Sequence, residues 1–283
     1  TLMRSSAASD VYKRQIIYNH YGEKEIAIIT LRGCAFDCAF CGGAKSLNKD
    51  ITTRIRTEES VITEIREILS AYPDIQSIRV LDDLFLRNGK SIDMTNNIFL
   101  KFPHLSWRGM VHVLSLAKDV EKVKKLRRGR CRELFIGIES GSESVRRKIN
   151  KLGTIDDIIT VSKAILESGI DLKGYFIYGF PGETKEDFQK TYELASKIKE
   201  ISTNTTGTFR TSVFQFRPYH GTQLYNEIVK STGIIHGCEF NKSISQFEGR
   251  SQFNFEFGNY SAEIDEMLNE YIIKTQKLTE EEQ

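Results

Sequence analysis

Long apolar runs and clustered prolines are both missing from this sequence. No stretch of about 18 uncharged apolar residues occurs, so no segment is expected to span a bilayer. Residues 1–15 lack the apolar centre of a signal peptide, and the four prolines form no linker that would divide the 283 residues. A net charge of +2 does not by itself indicate a membrane or nucleic acid as partner. We therefore expect a cytoplasmic protein with one main domain.

Cysteine is also scarce, and its distribution along the chain is uneven. The chain has five cysteines, an odd number, and Cys34, Cys38 and Cys41 follow one another closely. In a chain without an export signal, such crowding favours metal binding over disulfides. Cys131 precedes a predicted strand and is expected to be structural, and Cys238 lies in the irregular C-terminal stretch.

Apolar segments of two kinds alternate along the chain. Short runs rich in Ile, Val and Phe predict strands buried on both faces, at Ile26–Leu31, Ile75–Leu81, Trp107–Leu114, Leu134–Ile138, Leu172–Tyr178 and Thr211–Phe216. Helical spacing is found at Thr57–Tyr72, Ser91–Leu100, Ala117–Leu126, Ser142–Ile149, Thr154–Ser168, Thr184–Ile201, Thr222–Val229 and Ala262–Leu278. Parallel strands need crossover helices, so the alternation predicts an α/β fold, a partial (β/α)6 barrel of the TIM type.

The barrel is expected to occupy residues 25–230. Residues 231–283 are expected to form a C-terminal extension that ends in a helix. Residues 1–24, which open on Thr1, are interpreted as a leader or a truncated upstream region outside the fold.

The three close cysteines have the spacing C-x3-C-x2-C and follow the first predicted strand. Iron–sulfur cubes usually take four thiolates, so three leave one iron open, and an open metal position is where chemistry takes place. Gly42 and Gly43 allow the backbone to pass close to such a cluster. A zinc site would need a fourth Cys or His, and the next histidine is His104. A zinc-stabilised binding module and unrelated buried cysteines remain the alternatives.

This motif, with Phe40 directly before the last cysteine, resembles the signature of the radical SAM superfamily. The resemblance extends from about Ile26 to Tyr225. In that family a 4Fe–4S cluster binds S-adenosylmethionine (SAM), one electron cleaves the sulfonium, and the 5′-deoxyadenosyl radical abstracts a substrate hydrogen. The resemblance implies a partial barrel of the radical SAM kind, a 4Fe–4S cluster on the three cysteines, a small-molecule substrate, and an electron donor such as flavodoxin or ferredoxin.

Polar and Gly-rich segments follow the predicted strands, where a barrel of this type places its chemistry. They resemble motifs of the superfamily, especially of the group that often carries a cobalamin-binding domain. The resemblance implies that Asp82 and Asp83 lie near the methionine amine, that Glu139 contacts the ribose or amine, and that Ile177 lies against the adenine. The candidate cofactor contacts are Phe40, Gly42, Asp82, Asp83, Glu139, Ser140, Ile177 and Gly179. Taken singly, several of these residues could instead be helix caps.

The tail of the sixth predicted strand supplies the candidate catalytic residues. Arg217, Tyr219 and His220 are expected to face the barrel mouth, because Arg217 can hold an anion or hydroxyl and His220 can move a proton. Relatives often have Pro-Gly-Thr here, whereas this chain has His220-Gly221-Thr222. The polar tail favours dehydration or oxidation of a small, hydroxyl-rich substrate. His220 could also be a surface turn residue.

Two other enzyme classes stay open. A cobalamin-dependent radical methyltransferase would need a corrin domain before Ile26, where about 25 residues are available, so cobalamin is expected only if an upstream domain is missing. A tRNA-modifying enzyme is favoured only by the basic run Lys118–Arg132, which is more typical of a solvated helix face. Nucleic acid is therefore not the expected partner.

Overall fold

The computed structural model describes residues 16–50, 53–232 and 259–280. Its strands are β1 (Ile17–Tyr18), β2 (Lys24–Ile28), β3 (Leu31–Arg32), β4 (Arg54–Ile55), β5 (Ser77–Phe85), β6 (Ser106–Val111), β7 (Cys131–Glu139), β8 (Asp171–Tyr178) and β9 (Phe209–Gln215). Its helices are α1 (Glu58–Ala71), α2 (Gly89–Leu100), α3 (Val113–Ala117), α4 (Val123–Arg128), α5 (Glu143–Lys148), α6 (Ile155–Glu167), α7 (Lys185–Thr203), α8 (Gln223–Thr232) and α9 (Asp265–Lys277).

The main sheet is a curled half-barrel of parallel strands, which confirms the predicted partial TIM barrel. Strands β2, β5, β6, β7, β8 and β9 lie side by side in chain order, and each is parallel to its neighbour. Helices occupy the connections, as parallel pairing requires. Because the strands run in one direction, their C-terminal ends form a single rim.

The edge strand β1 pairs antiparallel with β2 and belongs to the segment interpreted as a leader. The sheet therefore includes residues 17–18, and residues 1–15 of that segment lie outside the described residues. At the other end, the predicted terminal helix is present as α9, where the Thr275 hydroxyl lies 2.7 Å from the Tyr178 hydroxyl of β8. Cys238 and residues 233–258 of the predicted extension lie outside the described residues.

The two faces of the sheet carry different side chains. One face is covered by the helices and is apolar, with Ile78, Trp107 and Leu134 among its fully buried residues. Alternate strand residues point to the other, concave face, and several of these are charged, such as Glu25 and Arg108. The strands are thus largely buried on both faces, as predicted. The prediction did not include the charged side chains of the concave face.

The long helices begin where the sequence predicts. Thr57 caps α1 by accepting a hydrogen bond from the Ser60 N–H, and Thr154 and Thr184 form capping boxes at α6 and α7. The third predicted strand, Trp107–Leu114, ends earlier, at Val111, because His112 caps the short helix α3 through its Nδ1. The predicted helix Ala117–Leu126 is divided into a 3-10 turn and α4. None of the described helices combines the length and apolar character of a membrane span.

Candidate active site

Two aspartates of β5 hold the entrance of the loop that carries Cys34, Cys38 and Cys41, here called the cysteine loop (residues 33–43). Asp82 accepts hydrogen bonds from the Thr30 N–H, at 2.6 Å, and from the Thr30 hydroxyl. Asp83 accepts the Gly33 N–H at 2.7 Å. Gly33 has a φ of +87°, a conformation that favours glycine. Both predicted cofactor contacts are thus bonded to the backbone that starts the loop.

The far side of the cysteine loop is held by two other segments. The Ala39 N–H donates to the Ile149 carbonyl at 2.9 Å, and the Ala39 carbonyl accepts the Leu224 N–H at 3.0 Å. The Asn150 side chain donates to the Asp37 carbonyl at 2.7 Å. The loop is therefore fixed between the end of α5 and the start of α8.

The three thiols are free and lie in partly buried surroundings. Cys38 is buried, and burial raises its pKa to about 11, while burial also raises the pKa of Cys41. The Phe36 N–H donates to the Cys34 Sγ at 3.4 Å, and the Gly43 N–H donates to the Cys41 Sγ at 3.3 Å. Such hydrogen bonds favour thiolate sulfur and tune iron–sulfur clusters.

The donor set of the loop fits an iron–sulfur cluster with one open iron. Thiolates are the usual ligands of such clusters, and the loop offers three of them beside backbone N–H donors. In the described part of the chain, no three His, Cys, Asp or Glu side chains converge as they would on a single metal ion. A cluster of four irons and four sulfides holds its thiolates farther apart, because each binds a separate corner.

A buried ion pair lies beside the thiols. Lys151 Nζ is 2.9 Å from Glu139 Oε1, and both side chains are only 8% exposed. The Lys151 charge lowers the pKa values of Cys38 and Cys41, against the larger effect of burial. Glu139 ends β7 with a φ of +65°, and a Cβ on Gly137 would lie 2.3 Å from its Oε1. Glycine at position 137 therefore leaves room for the carboxylate.

Arg146 of α5 fixes the segments on either side of this pair. Its buried guanidinium donates to the carbonyls of Ile138 and Ser140, at 2.6 and 3.3 Å, next to Glu139. It also donates to the carbonyls of Leu152 and Gly153, at 3.2 and 2.9 Å, just after Lys151. Burial lowers the pKa of Arg146.

Ser140, a predicted cofactor contact, is fully buried against α7. Its hydroxyl lies 3.1 Å from the Thr191 hydroxyl and accepts the Ser142 N–H at 3.1 Å. A Cβ on the neighbouring Gly141 would lie 2.3 Å from the Lys190 carbonyl oxygen. In this arrangement Ser140 supports the turn that carries Glu139.

The turn after β8 is organised by a buried carboxyl group. Glu183 Oε2 accepts the N–H groups of Gly179 and Phe180, at 2.8 and 3.0 Å, while its Oε1 is buried without a partner. Burial raises the pKa of Glu183 to about 8. Gly179 has a φ of +91°, which favours glycine there. Ile177 and Phe40 both pack on the small apolar cluster that contains Phe180.

Glu183 should make the stability of the fold depend on pH. Its pKa is higher in the folded state than the ordinary value of 4.5, so the folded state retains a proton that the unfolded state loses. This stabilisation is complete below pH about 4.5 and is lost as the pH rises through about 8. In Glu183→Gln the amide oxygen keeps both hydrogen bonds and cannot ionise. Urea unfolding at pH 5, 7 and 9 should show the variant gaining stability relative to the parent as the pH rises.

The control is Glu186→Gln on the exposed start of α7, where the carboxylate is 78% exposed. The control and the parent should show parallel stability curves across this pH range. A Glu183→Gln curve parallel to that of the parent would contradict the assignment.

The tail of β9 lies beside the outer side of the cysteine loop. Gly221 and Thr222 line a cavity of about 500 Å³ together with Cys38 and Leu47. Among the predicted catalytic residues, Arg217 is half-buried and Tyr219 and His220 are exposed. The His220 ring packs 4.6 Å from that of Tyr225. The structure thus brings the tail to the loop, and the substrate roles of its three residues stay predictions.

Three residues of this site were missed by the sequence analysis: His112, Arg146 and Lys151. His112 directly follows β6, its ring stacks 3.9 Å from Phe36 of the cysteine loop, and burial lowers its pKa to about 3. Its Nε2 is buried without a partner. The predicted strand continued through His112, which concealed a polar residue at the strand end. Lys151 and Arg146 looked like ordinary basic residues of a short helix and its exit.

The basic run Lys118–Arg132 is divided by the fold. Lys122 and Lys125 form ion pairs with Asp93, and Lys124 pairs with Glu121. The arginines gather instead around a second cavity, of about 380 Å³, lined by Arg127, Arg128, Arg130, Arg132, Glu23 and Ser106. This cavity lies near the N-terminal ends of the strands, at the opposite end of the barrel from the cysteine loop.

A half-barrel with three thiols behind its first parallel strand defines a class of enzymes that use an iron–sulfur cluster to start radical chemistry. The family model of the radical SAM superfamily matches residues 28–195. This chain belongs to the radical SAM superfamily and is an enzyme of that superfamily. Its members bind a 4Fe–4S cluster and SAM, and the residues of the cysteine loop fit that requirement.

Comparisons with known proteins add relatives of several activities. An uncharacterised methyltransferase from Pyrococcus horikoshii is 32% identical over 210 residues, which cover 74% of this chain and 43% of that protein. A threonylcarbamoyladenosine tRNA methylthiotransferase from Thermotoga maritima is 26% identical over 196 residues, 67% of this chain and 43% of that protein. The chain thus spans less than half the length of these curated relatives.

A solved structure shares the fold. The radical SAM methyltransferase TsrM from Kitasatospora setae, with cobalamin and a 4Fe–4S cluster bound, aligns with a TM-score of 0.61 at 19% identity. The alignment covers 79% of this chain and 38% of that one. This likeness shows that the two chains share the half-barrel fold.

Proposed function

We propose that this chain binds SAM between the cysteine loop and the Glu139–Lys151 pair and starts hydrogen abstraction inside the half-barrel. The observation that carries the proposal is that this buried pair lies beside three free thiols at the rim. When bound, the 4Fe–4S cluster supplies the electron that cleaves SAM. The protein residues hold the ligand, orient it and exclude water.

The Glu139–Lys151 pair is complementary to the amino-acid end of SAM. The Glu139 carboxylate can accept hydrogen bonds from an α-ammonium group, and the Lys151 ammonium can donate to an α-carboxylate. Both groups are nearly buried, so water stabilises their charges only weakly. A charged ligand would therefore interact with them more strongly than it would in water. Asp82 and Asp83 support this site by fixing the loop backbone, while Ile177 and the Gly179 turn are the proposed adenine contacts.

Replacing Lys151 with methionine should weaken SAM binding. The variant loses the cation proposed for the SAM carboxylate, and we expect the KM for SAM to rise by about tenfold or more, the equivalent of one charge-assisted hydrogen bond. The measurement is 5′-deoxyadenosine formation by anaerobically reconstituted protein with dithionite. Lys163→Met, on the exposed side of α6, is the control and should not change the KM. An unchanged KM in Lys151→Met would refute the assignment, and absence of 5′-deoxyadenosine from the parent would refute the proposed function.

Methyl transfer is the reaction outcome that we propose first. The relative from Pyrococcus horikoshii is named a methyltransferase, and the solved neighbour is a methyltransferase with cobalamin bound. Dehydration or oxidation of a hydroxyl-rich substrate rests on Arg217, Tyr219 and His220 alone. Anaerobic turnover with methyl-labelled SAM distinguishes the two, because only methyl transfer carries the label into product.

A second candidate function is modification of tRNA. It is favoured by the arginine-lined cavity, in which Arg127, Arg128 and Arg130 form no ion pair with any described residue, and by the tRNA methylthiotransferase relative. Replacing these three arginines with alanine should reduce tRNA affinity at least tenfold and flatten its salt dependence. Fluorescence anisotropy measures this, with Lys124→Ala/Lys125→Ala as the control. If the parent protein does not retain tRNA at low salt, this candidate is excluded.

A further inference from the structure

The floor of the half-barrel is a layer of charged side chains. Each of the six parallel strands contributes one at its second or third residue, on the concave face away from the helices: Glu25, Arg79, Arg108, Glu133, Lys173 and Arg210. This floor layer contains four cations and two carboxylates. Burying a charge without a partner is unfavourable, so each cation of the layer is expected to have an anionic partner.

Two of the four cations are neutralised by the two carboxylates. Arg108 forms two hydrogen bonds with Glu25, at 2.6 and 2.7 Å, and one with Glu133 at 3.2 Å. Arg210 donates to the other oxygen of Glu133 at 2.5 Å. Both carboxylates are fully buried and have their oxygens occupied by these guanidinium groups.

Arg79 and Lys173 are the surplus cations of the floor layer. Neither forms an ion pair with a described residue. Arg79 lies 5.8 Å from the Phe135 ring, and its Nε is buried without a hydrogen-bond partner. The Lys173 ammonium lies 5.1 Å from the Tyr175 ring. Burial, together with the positive charges of Arg210, Arg79 and Arg108, lowers the pKa of Lys173 to about 8.

The chain itself crosses the bottom of the barrel below this layer. The turn after β1 runs from one edge of the sheet, and its Tyr21 hydroxyl donates to Asp171 of β8 at 2.6 Å. Asp171 also accepts the Thr208 N–H at 2.8 Å, so its carboxylate is occupied. Met110 aligns with Lys173 through Phe135 and is 40% exposed on the concave face, so there is space at the level of Lys173. A ligand therefore reaches the surplus cations from the rim.

We propose that Arg79 and Lys173 form an anion site in the barrel floor, which binds a carboxylate or phosphate group of the substrate. The inference rests on the proposed function, which places the reacting carbon of the substrate at the rim. Lys173 pairs with Phe135, four residues before Glu139, which is roughly 13 Å along the strand. The substrate is thus an elongated anion, whose charged end lies at the floor and whose reacting carbon lies at the rim. Phe135 and Tyr175, with ring centroids 6.3 Å apart, offer aromatic surface between the two ends.

Ligand-observed NMR on the full chain tests the site without knowledge of the substrate. The probes are 4-phenylbutyrate, phenyl phosphate and the neutral 4-phenylbutanol, and the first two distinguish carboxylate from phosphate. We expect either anion to bind at least tenfold more tightly than the alcohol. Lys173→Met and Arg79→Met should each reduce that affinity at least tenfold, whereas Lys173→Arg should retain it and Lys163→Met should not change it. Equal binding of alcohol and anions, or unchanged binding by Lys173→Met, would overturn the proposal.

Two further measurements are needed. The first tests whether Lys173 is instead a structural residue, and the second tests the proposed function independently of the anion site. Because Lys173 is repelled by its neighbours in the free protein, Lys173→Met should raise the Tm, and a fall in Tm would contradict a surplus cation. SAM cleavage by the parent protein without substrate tests the proposed function alone, since it needs no anion bound at the floor. If no form of the protein cleaves SAM, the proposed function fails, while the anion binding is still decided by the NMR titration.

Discussion

Cys38→Ala is expected to abolish SAM cleavage and to lower the iron and sulfide content of the reconstituted protein. Cys38 is the most buried of the three loop thiols and lines the cavity between the cysteine loop and α8. Two thiolates cannot hold a cube at three corners, so the cluster is lost or becomes labile. We expect 5′-deoxyadenosine formation to fall by more than about 100-fold, beyond the loss typical of an outer-shell partner. Iron and sulfide analysis with electron paramagnetic resonance measures the cluster directly.

Cys131→Ala is the matched control for this experiment. Cys131 is free and fully buried at the start of β7, far along the strand from Glu139. Its loss should cost some stability and leave the iron content and the resonance spectrum unchanged. If Cys131→Ala lost iron as Cys38→Ala does, or if Cys38→Ala kept a complete cluster, the assignment of the ligands would be wrong.

The fold was largely predictable because each strand carries its own local signal. Consecutive apolar residues such as those of Leu134–Ile138 mark a strand whose outer face packs on helices, and Thr154 and Thr184 mark helix starts. The six parallel strands and their order follow from the alternation of these segments. The failures occurred where one residue changes the chain direction, as at His112, which ends β6 by capping α3.

The site was predictable only in the part that the cysteine spacing and motif resemblance describe. Lys151 lies 12 residues after Glu139, and their approach depends on a turn held by Arg146 and on the positive φ of Asn150. No local pattern indicates that contact. The charges of the floor layer were likewise hidden, because Arg79 and Lys173 interrupt apolar runs singly and come to one concave face only when the strands pair.

Arg146→Met should destabilise the protein and loosen the SAM site at the same time. Arg146 is 1% exposed, and its guanidinium donates to carbonyls on both sides of the Glu139–Lys151 pair. Methionine removes these donors, and only the Ile138 carbonyl is known to keep another, the Ser140 N–H at 2.9 Å. At about 1–3 kcal/mol for each buried group left without a donor, we expect the free energy of unfolding to fall by about 3 kcal/mol or more. Urea unfolding measures this loss. The KM for SAM should rise as well, since both charged groups lose the backbone that positions them.

Arg147→Met, an exposed position on the same helix, is the control and should change neither quantity. Arg146→Lys distinguishes a positioning role from a general loss of stability. Lysine keeps the charge and can reach one or two of the carbonyls but cannot serve both segments at once, because it lacks the fork of the guanidinium. It should therefore recover part of the stability while the KM for SAM stays raised. If Arg146→Lys restored the KM together with the stability, Arg146 would be a structural residue without a specific influence on the Glu139–Lys151 pair.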